Sequence, residues 1–316
     1  MRLATLKRGG RDGTLVAVSD DGARVAPVKG YATLQAALDD WDAAQDALAA
    51  AAQDAASGEV VTPADFAAPL PRAWQWLDGS AFTNHAKLME TAFNMPPIET
   101  DLPLMYQGMS HQFIAPTDDV PFPSEADGID FEGEFGVITD DVPMGCSAAD
   151  ALRHVRFLVL INDWSLRAIA PVEMKTGFGW IQAKPACSVA PFAVTPDTLG
   201  DAWRDGRVCL PLTVEVDGEW FGHPNGAAMA YGFHELIAHA ARSRSLPAGT
   251  IIGSGTVSNA EHETVGSTCL SERRAIEMIA HGAPKTAFLP FGSRVAMRAG
   301  EGASPFGVID QRVVKG

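Results

Sequence analysis

Three acidic side chains stand where they could ligate a hard cation. In the segment Ile129-Asp130-Phe131-Glu132-Gly133-Glu134-Phe135-Gly136-Val137, Phe131, Phe135 and Val137 share one face of a period-two pattern. Glu132, Glu134 and Gly136 share the other. In a strand this geometry points two carboxylates the same way, roughly 6–7 Å apart. Like charges that close repel unless a cation lies between them. The apolar run Phe157-Leu158-Val159-Leu160-Ile161 then carries Asn162 and Asp163 out of a second strand. A third carboxylate leaving a buried strand is what an oxygen-ligated divalent site needs. The competing reading is a solvated strand face, the ordinary fate of alternating acids.

Other residues have the types that proton transfer and substrate binding require. Asp78 and His85 stand seven apart around Gly79-Ser80, which reads as a loop entering a helix. A lone histidine is more often a satisfied surface or core residue than a base. Tyr106, in Leu102-Pro103-Leu104-Met105-Tyr106-Gln107-Gly108, is a pocket-lining hydroxyl or a rim aromatic. Lys184 has apolar flanks, in Trp180-Ile181-Gln182-Ala183-Lys184-Pro185, where an unpaired ammonium is costly; the alternative is a surface lysine. Thr256 follows Thr250-Ile251-Ile252-Gly253, and two glycines there permit close backbone approach. His234 and His239, five apart, do not share a helix face, which argues against a second metal site. Glu261-His262-Glu263 is explained as well by a turn between strand and helix.

The elements that must position these groups are legible in part. Residues 1–30 read as short strands, with a hairpin signalled by Leu15-Val16-Ala17-Val18 before Asp21-Gly22. The spacing of Leu34, Leu38, Trp41 and Leu48 predicts a helix from Thr33 to about Ala56. Thr62-Pro63 through Pro69-Leu70-Pro71 reads as a stiff linker, and Met95-Pro96-Pro97 as a proline-rich loop. Thr213-Val214-Glu215-Val216, Asp217-Gly218 and Glu219-Trp220-Phe221 predict a hairpin. A helix is expected from Gly232 to about Arg242, and closing strands over 290–313. The first 73 residues hold no nucleotide fingerprint or nucleophile motif, so they are expected to pack, shield or dimerise.

Composition narrows the partners. The chain has 316 residues, 47% hydrophobic, enough for a large core in one or two domains. With 24 Lys plus Arg against 39 Asp plus Glu the net charge is −15, which repels phosphate backbones and anionic lipid; neither nucleic acid nor membrane is an expected partner. Cys146, Cys187, Cys209 and Cys269 form no CxxC pair and no zinc spacing, as expected of free thiols in a reducing compartment. The basic start has no apolar segment after it, and no run approaches 18 apolar residues. A cytoplasmic location is expected.

Taken in order, Asp78-x6-His85, the Pro103-Leu104-Met105-Tyr106-Gln107-Gly108 loop, Glu132-x-Glu134, Asn162-Asp163-Trp164-Ser165-x-Arg167, Lys184 and Gly255-Thr256-Val257-Ser258 resemble the fumarylacetoacetate hydrolase superfamily in its bacterial two-domain form. The resemblance implies an α+β fold: a mixed β-sandwich roll at 74–316 behind a small α+β domain at 1–73, assembled as a homodimer. It implies Mg²⁺ or Ca²⁺, with Mn²⁺ a further candidate, held by Asp78, Glu132, Glu134 and Asp163. All-oxygen ligands favour such a hard ion over zinc. Asp78 could instead cap the following helix. The implied substrate is a small diketo acid, fumarylacetoacetate-like or acylpyruvate-like, cleaved at a carbon–carbon bond. His85 resembles the base, and imidazole with its ordinary pKa of about 6.5 suits that task. Glu272 resembles its orienting partner, against the reading that it pairs with Arg273 or Arg274 on a helix. Lys184 resembles the lysine that steadies an oxyanion or protonates the departing carbanion. Tyr106, Arg167 and Thr256 resemble substrate contacts, Arg167 alternatively offsetting the carboxylates. Ser188 falls where the family places a threonine near the metal.

The chain also departs from the fumarylacetoacetate-cleaving pattern. Ser80 stands where those members carry a tyrosine and Ala170 where they carry a glutamine. Met174 lies near another pocket tyrosine's place, and no arginine stands near Asn94. Lost polar groups change which substrates leave nothing unpaired, so specificity does not carry over. A lyase or isomerase of the same fold, such as a 2-oxo acid hydratase or oxaloacetate decarboxylase, and a non-catalytic metal-bound scaffold are the other readings.

Overall fold

The computed structural model describes residues 1–94, 96 and 100–316; Met95 and Pro97 of the proline-rich loop lie outside the described residues. The chain is α+β with two main sheets. The larger has eleven strands. Its path runs Glu59–Val60, Arg24–Pro27, Thr14–Val18, Arg2–Leu6, Phe192–Val194, Val155–Asn162, Gly133–Thr139, Ile251–Gly253, Trp76–Gly79 and Met105–Gly108, with Ser188–Val189 pairing to one side. Ile251–Gly253 and Trp76–Gly79 are parallel, with Gly253 opposite Asp78; their neighbours are antiparallel. The second sheet orders Glu219–Gly222, Leu212–Val216, Arg294–Ala299, Ile309–Lys315 and Val120–Phe122.

The apolar run at 157–161 is the reason the large sheet has a core on both sides. Side chains alternate across a strand. Leu158 and Leu160 enter one core with Phe135, Val137, Leu212, Val214, Val295 and Met297, which fills the space between the sheets. Phe157, Val159 and Ile161 enter the other, with Leu3, Leu15, Leu34, Leu38 and Leu48. A strand buried on both faces has no polar alternation to show, and the sequence reads as an unbroken apolar run.

The first 72 residues are joined to this scaffold by backbone hydrogen bonds. Arg2–Leu6 pairs antiparallel with Phe192–Val194, so the N-terminal hairpin extends the large sheet. The expected helix at 33–56 forms as two, Leu34–Asp39 and Trp41–Asp54, broken at Asp40 (φ −126°, ψ 42°). Thr33 caps the first by accepting from the Ala36 N–H at 3.1 Å. The stretch read as a linker packs down: Phe66 is buried and Thr5 Oγ1 donates to the Pro69 carbonyl at 2.6 Å. The hairpin at 212–222 turns on Asp217 and Gly218, both at positive φ (53° and 84°), the conformation that two-residue hairpins favour. No helix among the described residues is long and apolar enough to cross a membrane.

Candidate metal centre and base

Four strands of the large sheet deliver their side chains to one end of its second core. The rows that bury Trp76, Ile161 and Ile251 on that side continue to Asp78, Asp163 and Gly253, two residues on. The row of Ile138 runs back through Gly136 to Glu134. One oxygen from each of Asp78, Glu134 and Asp163 lies within 4.8 Å of the others, and all three residues are buried. Gly253 makes the room: a Cβ there would stand 2.5 Å from Asp78 Oδ1 and 2.9 Å from Glu134 Oε2. The Gly255 N–H donates to Asp78 Oδ1 at 3.2 Å.

The charges in this trio are unbalanced. Burial, and then the Asp163 charge, push the Asp78 carboxyl up to about 8. Burial also raises Glu134 far above the carboxylate range, with Asp78 and Asp163 adding to it. Neither oxygen of Glu134 has a donor among the described residues. Buried carboxylates in that state retain protons or take a cation.

Glu132 is also buried, and both of its oxygens are engaged. Arg167 Nη2 donates to Oε1 and Lys184 Nζ to Oε2, each at 2.5 Å. Burial opposes ionisation, but the charges of Lys184 and Arg167 outweigh it and hold this carboxyl well below its usual range. Lys184 Nζ also donates to Asp163 Oδ2 at 2.6 Å. Burial would lower the ammonium, yet Asp163 and Glu132 raise it above the lysine range, so it stays charged. Tyr106 donates to the same Asp163 oxygen at 2.7 Å, and the Cys187 thiol donates to Oδ1 at 2.9 Å. Burial and Asp163 raise both donors, which keeps them protonated.

In this network five carboxylates (Asp78, Asp130, Glu132, Glu134 and Asp163) meet two side-chain cations, Arg167 and Lys184. An excess of buried negative charge, an all-oxygen donor set and a pair of donorless oxygens on Glu134 fit a hard divalent cation between Asp78, Glu134 and Asp163.

His85 sits on the helix Thr83–Phe93, which packs against Leu270–His281. Glu272, in the first turn of that second helix, is fully buried and places Oε2 2.9 Å from His85 Nδ1. That contact puts the Nδ1 proton toward the carboxylate and leaves Nε2 as the acceptor. Arg273 and Arg274 turn instead to the carbonyls of Phe221 and Thr286. The imidazole is also near enough for its charge to act on Glu132.

The structure thus gathers Asp78, Glu134 and Asp163 into one trio, pairs His85 with Glu272, and ties Glu132, Lys184, Arg167 and Tyr106 into the surrounding network. Thr256 is buried in the turn after Ile251–Gly253, and its hydroxyl makes no hydrogen bond among the described residues. Ser188 accepts from Trp164 Nε1 at 2.9 Å. Two residues were given no site role from the sequence: Asp130 and Cys187. Asp130 had a signal, because it continues the period-two row of Glu132 and Glu134.

Fold and geometry together define a class: an α+β scaffold presenting a buried, all-carboxylate cage beside an oriented histidine. Within that class the chain belongs to the fumarylacetoacetate hydrolase family, matching Fumarylacetoacetate (FAA) hydrolase C-terminal over residues 75–314 and Fumarylacetoacetase N-terminal domain 2 over residues 1–72. It is 29% identical over 163 residues to a 2,4-didehydro-3-deoxy-L-rhamnonate hydrolase of Sphingomonas sp. (strain SKA58), covering 51% of this chain and 54% of that one. It is 26% identical over 157 residues to a mitochondrial oxaloacetate tautomerase of Rattus norvegicus, covering 49% and 48%. The matches therefore span about half the length of these curated relatives. The maleylpyruvate hydrolase of Sphingobium sp. SYK-6, solved with manganese (II) ion and pyruvate, superposes over 100% of both chains with a TM-score of 0.68 at 17% identity, a likeness of fold.

Proposed function

We propose that this chain is a divalent-cation-dependent hydrolase that cleaves a carbon–carbon bond in a short 1,3-diketo acid. The observation that carries the reading is that the fold builds two sites, the donor-poor carboxylate trio and the His85–Glu272 pair, with the imidazole near enough to act on Glu132. Asp78, Glu134 and Asp163 would hold Mg²⁺, Ca²⁺ or Mn²⁺, with Glu132 beside them; a cation there polarises the carbonyl under attack and stabilises negative charge on the substrate oxygens. His85 Nε2 takes a proton from water as its oxygen bonds to the carbonyl carbon. Glu272 keeps the ring oriented and stabilises the imidazolium that results. When the tetrahedral adduct collapses, the carbon–carbon electron pair leaves to the methylene carbon, which takes a proton back from the imidazolium. Lys184 is held as a cation by two carboxylates, which suits it to stabilise the oxyanion better than to give up a proton. Tyr106 and Lys184 fix Asp163, and the free hydroxyl of Thr256 is offered to the substrate carboxylate. The exposed apolar side chains of Val172, Met174, Phe178 and Ile181 are the surface a homodimer would cover.

The test is loss of absorbance of an acylpyruvate with Mg²⁺ and with EDTA, followed by product analysis. Two acid fragments, produced only with the cation and absent in His85→Ala with unchanged Mg²⁺ affinity, support the reading. Unchanged turnover in His85→Ala sinks the assignment of the base. A second reading, enol–keto tautomerisation of a 2-oxo acid, is favoured by the tautomerase relative and needs only the proton-transfer half of the same site. It yields an isomer and no fragments.

A further inference from the structure

Asp130 touches neither the trio nor the base, yet its carboxylate lies between them. It is fully buried, on the short strand Ile129–Asp130 that pairs with Ser165–Leu166 just after Asp163. Oδ1 accepts from the backbone N–H of Phe131 at 2.8 Å and of Leu270 at 2.7 Å. Oδ2 accepts from the Ser271 N–H at 2.9 Å and from Arg167 Nε at 2.8 Å. Leu270 and Ser271 open the helix Leu270–His281, and the next residue is Glu272. A carboxylate on the first free N–H groups of a helix fixes where that helix starts, and the helix dipole strengthens the contact. Cys269 Sγ accepts the third of these, from Glu272 itself at 3.2 Å. On its other side the Asp130 carboxylate clamps Arg167, which holds Glu132, which holds Lys184, which holds Asp163.

We propose that Asp130 is the positioning residue that couples the base pair to the carboxylate cage: one carboxylate sets both the place of Glu272 against His85 and the arginine–glutamate–lysine chain that ends on Asp163. The inference rests on the cation and base roles proposed above, and it says which residue holds them in register.

The test uses the full chain, with Asp130→Asn, and Leu48→Ala as a control for stability alone, since Leu48 is buried in the helix Trp41–Asp54. Two readouts are taken: Mn²⁺ affinity by calorimetry, and the hydrogen-bonded ring proton between His85 and Glu272 as a downfield NMR signal. Asp130→Asn is expected to weaken Mn²⁺ about tenfold or more and to lose that signal through exchange with water. Leu48→Ala should lower the melting temperature and leave both readouts as in the wild type. Retention of either readout in Asp130→Asn overturns the coupling and leaves Asp130 a residue of the fold. Should Asp130→Asn fail to fold, Arg167→Gln cuts the chain one link further on, with the same expectation for Mn²⁺; wild-type affinity there is equally fatal. Wild-type protein that binds no Mn²⁺ would instead sink the proposed function.

Discussion

Removing the charge of Glu134 should make the metal-free protein more stable while destroying its response to cations. Burial raises both Asp78 and Glu134, and the Asp163 charge adds to each, taking Asp78 from 3.8 to about 8. A carboxyl whose folded pKa exceeds its unfolded value binds more protons when folded, so its stabilising effect is complete below pH 4 and is lost as pH rises toward 8. Four units at about 1.4 kcal/mol each put the loss on the order of 5 kcal/mol for Asp78. For a chain of this size that corresponds to a fall of roughly 10 °C in Tm. EDTA-treated wild type should therefore melt lower at each step from pH 5 to 8, and saturating Mg²⁺ should flatten the curve by replacing the proton. Glu134→Gln removes the donorless carboxylate but keeps Asp78, so its EDTA curve should still fall with pH, less steeply than the wild type, and lie above it at pH 8. Added Mg²⁺ should no longer raise its Tm. A metal-free wild type whose Tm ignores pH across this window, or a Glu134→Gln protein less stable than wild type at pH 8 without metal, refutes the reasoning.

Three further perturbations follow from the same network. Lys184→Met leaves Glu132 and Asp163 without a shared buried cation, so the metal-free chain should lose about 3–5 kcal/mol, read from its urea midpoint; a change below about 1 kcal/mol contradicts the pairing. Gly253→Ala drives a Cβ against Asp78 Oδ1 and the Trp76 ring, and calorimetry should show Mn²⁺ affinity falling about tenfold or more; wild-type affinity would mean the carboxylates can shift. Glu272→Gln keeps the shape but not the charge opposite His85, and should lower kcat about a hundredfold with Mg²⁺ affinity unchanged; equal loss of both would place Glu272 in the cage.

What could be read in the chain followed the range of the interaction. The run at 157–161, the Asp217-Gly218 hairpin and the helix at Phe233–Ala240 are specified by neighbouring residues, and their type and place were legible. The pairing of Arg2 with Val194 joins segments almost two hundred positions apart and leaves no local mark, so the way the N-terminal strands extend the large sheet was not legible. The break at Asp40 was hidden for a different reason: the apolar stripe continues across it, because Leu38 and Leu48 enter the same core from two helices. Cys187 shows the limit for sites. Nothing around it in sequence distinguishes a thiol that holds Asp163 from one that merely fills space.

Glu132 and Glu134, two positions apart, meet different surroundings. Period two predicts one face for them, and repulsion between them would require positive charge nearby. The structure meets that requirement at Glu132 with side-chain cations and leaves Glu134 without one. Glu132 stands just before the strand Gly133–Thr139, its N–H held by Asn162 Oδ1 at 3.1 Å, and its oxygens meet Arg167 and Lys184. Glu134 is inside the strand, opposite Ile161, facing a glycine floor and no donor. Side-chain cations that arrive from residues 167 and 184 neutralise the first, and the second is the one that groups with Asp78 and Asp163. The same division explains why two adjacent acids move in opposite directions, Glu132 below the carboxylate range and Glu134 above it: burial acts on both, and an anchored ammonium and guanidinium reach only one.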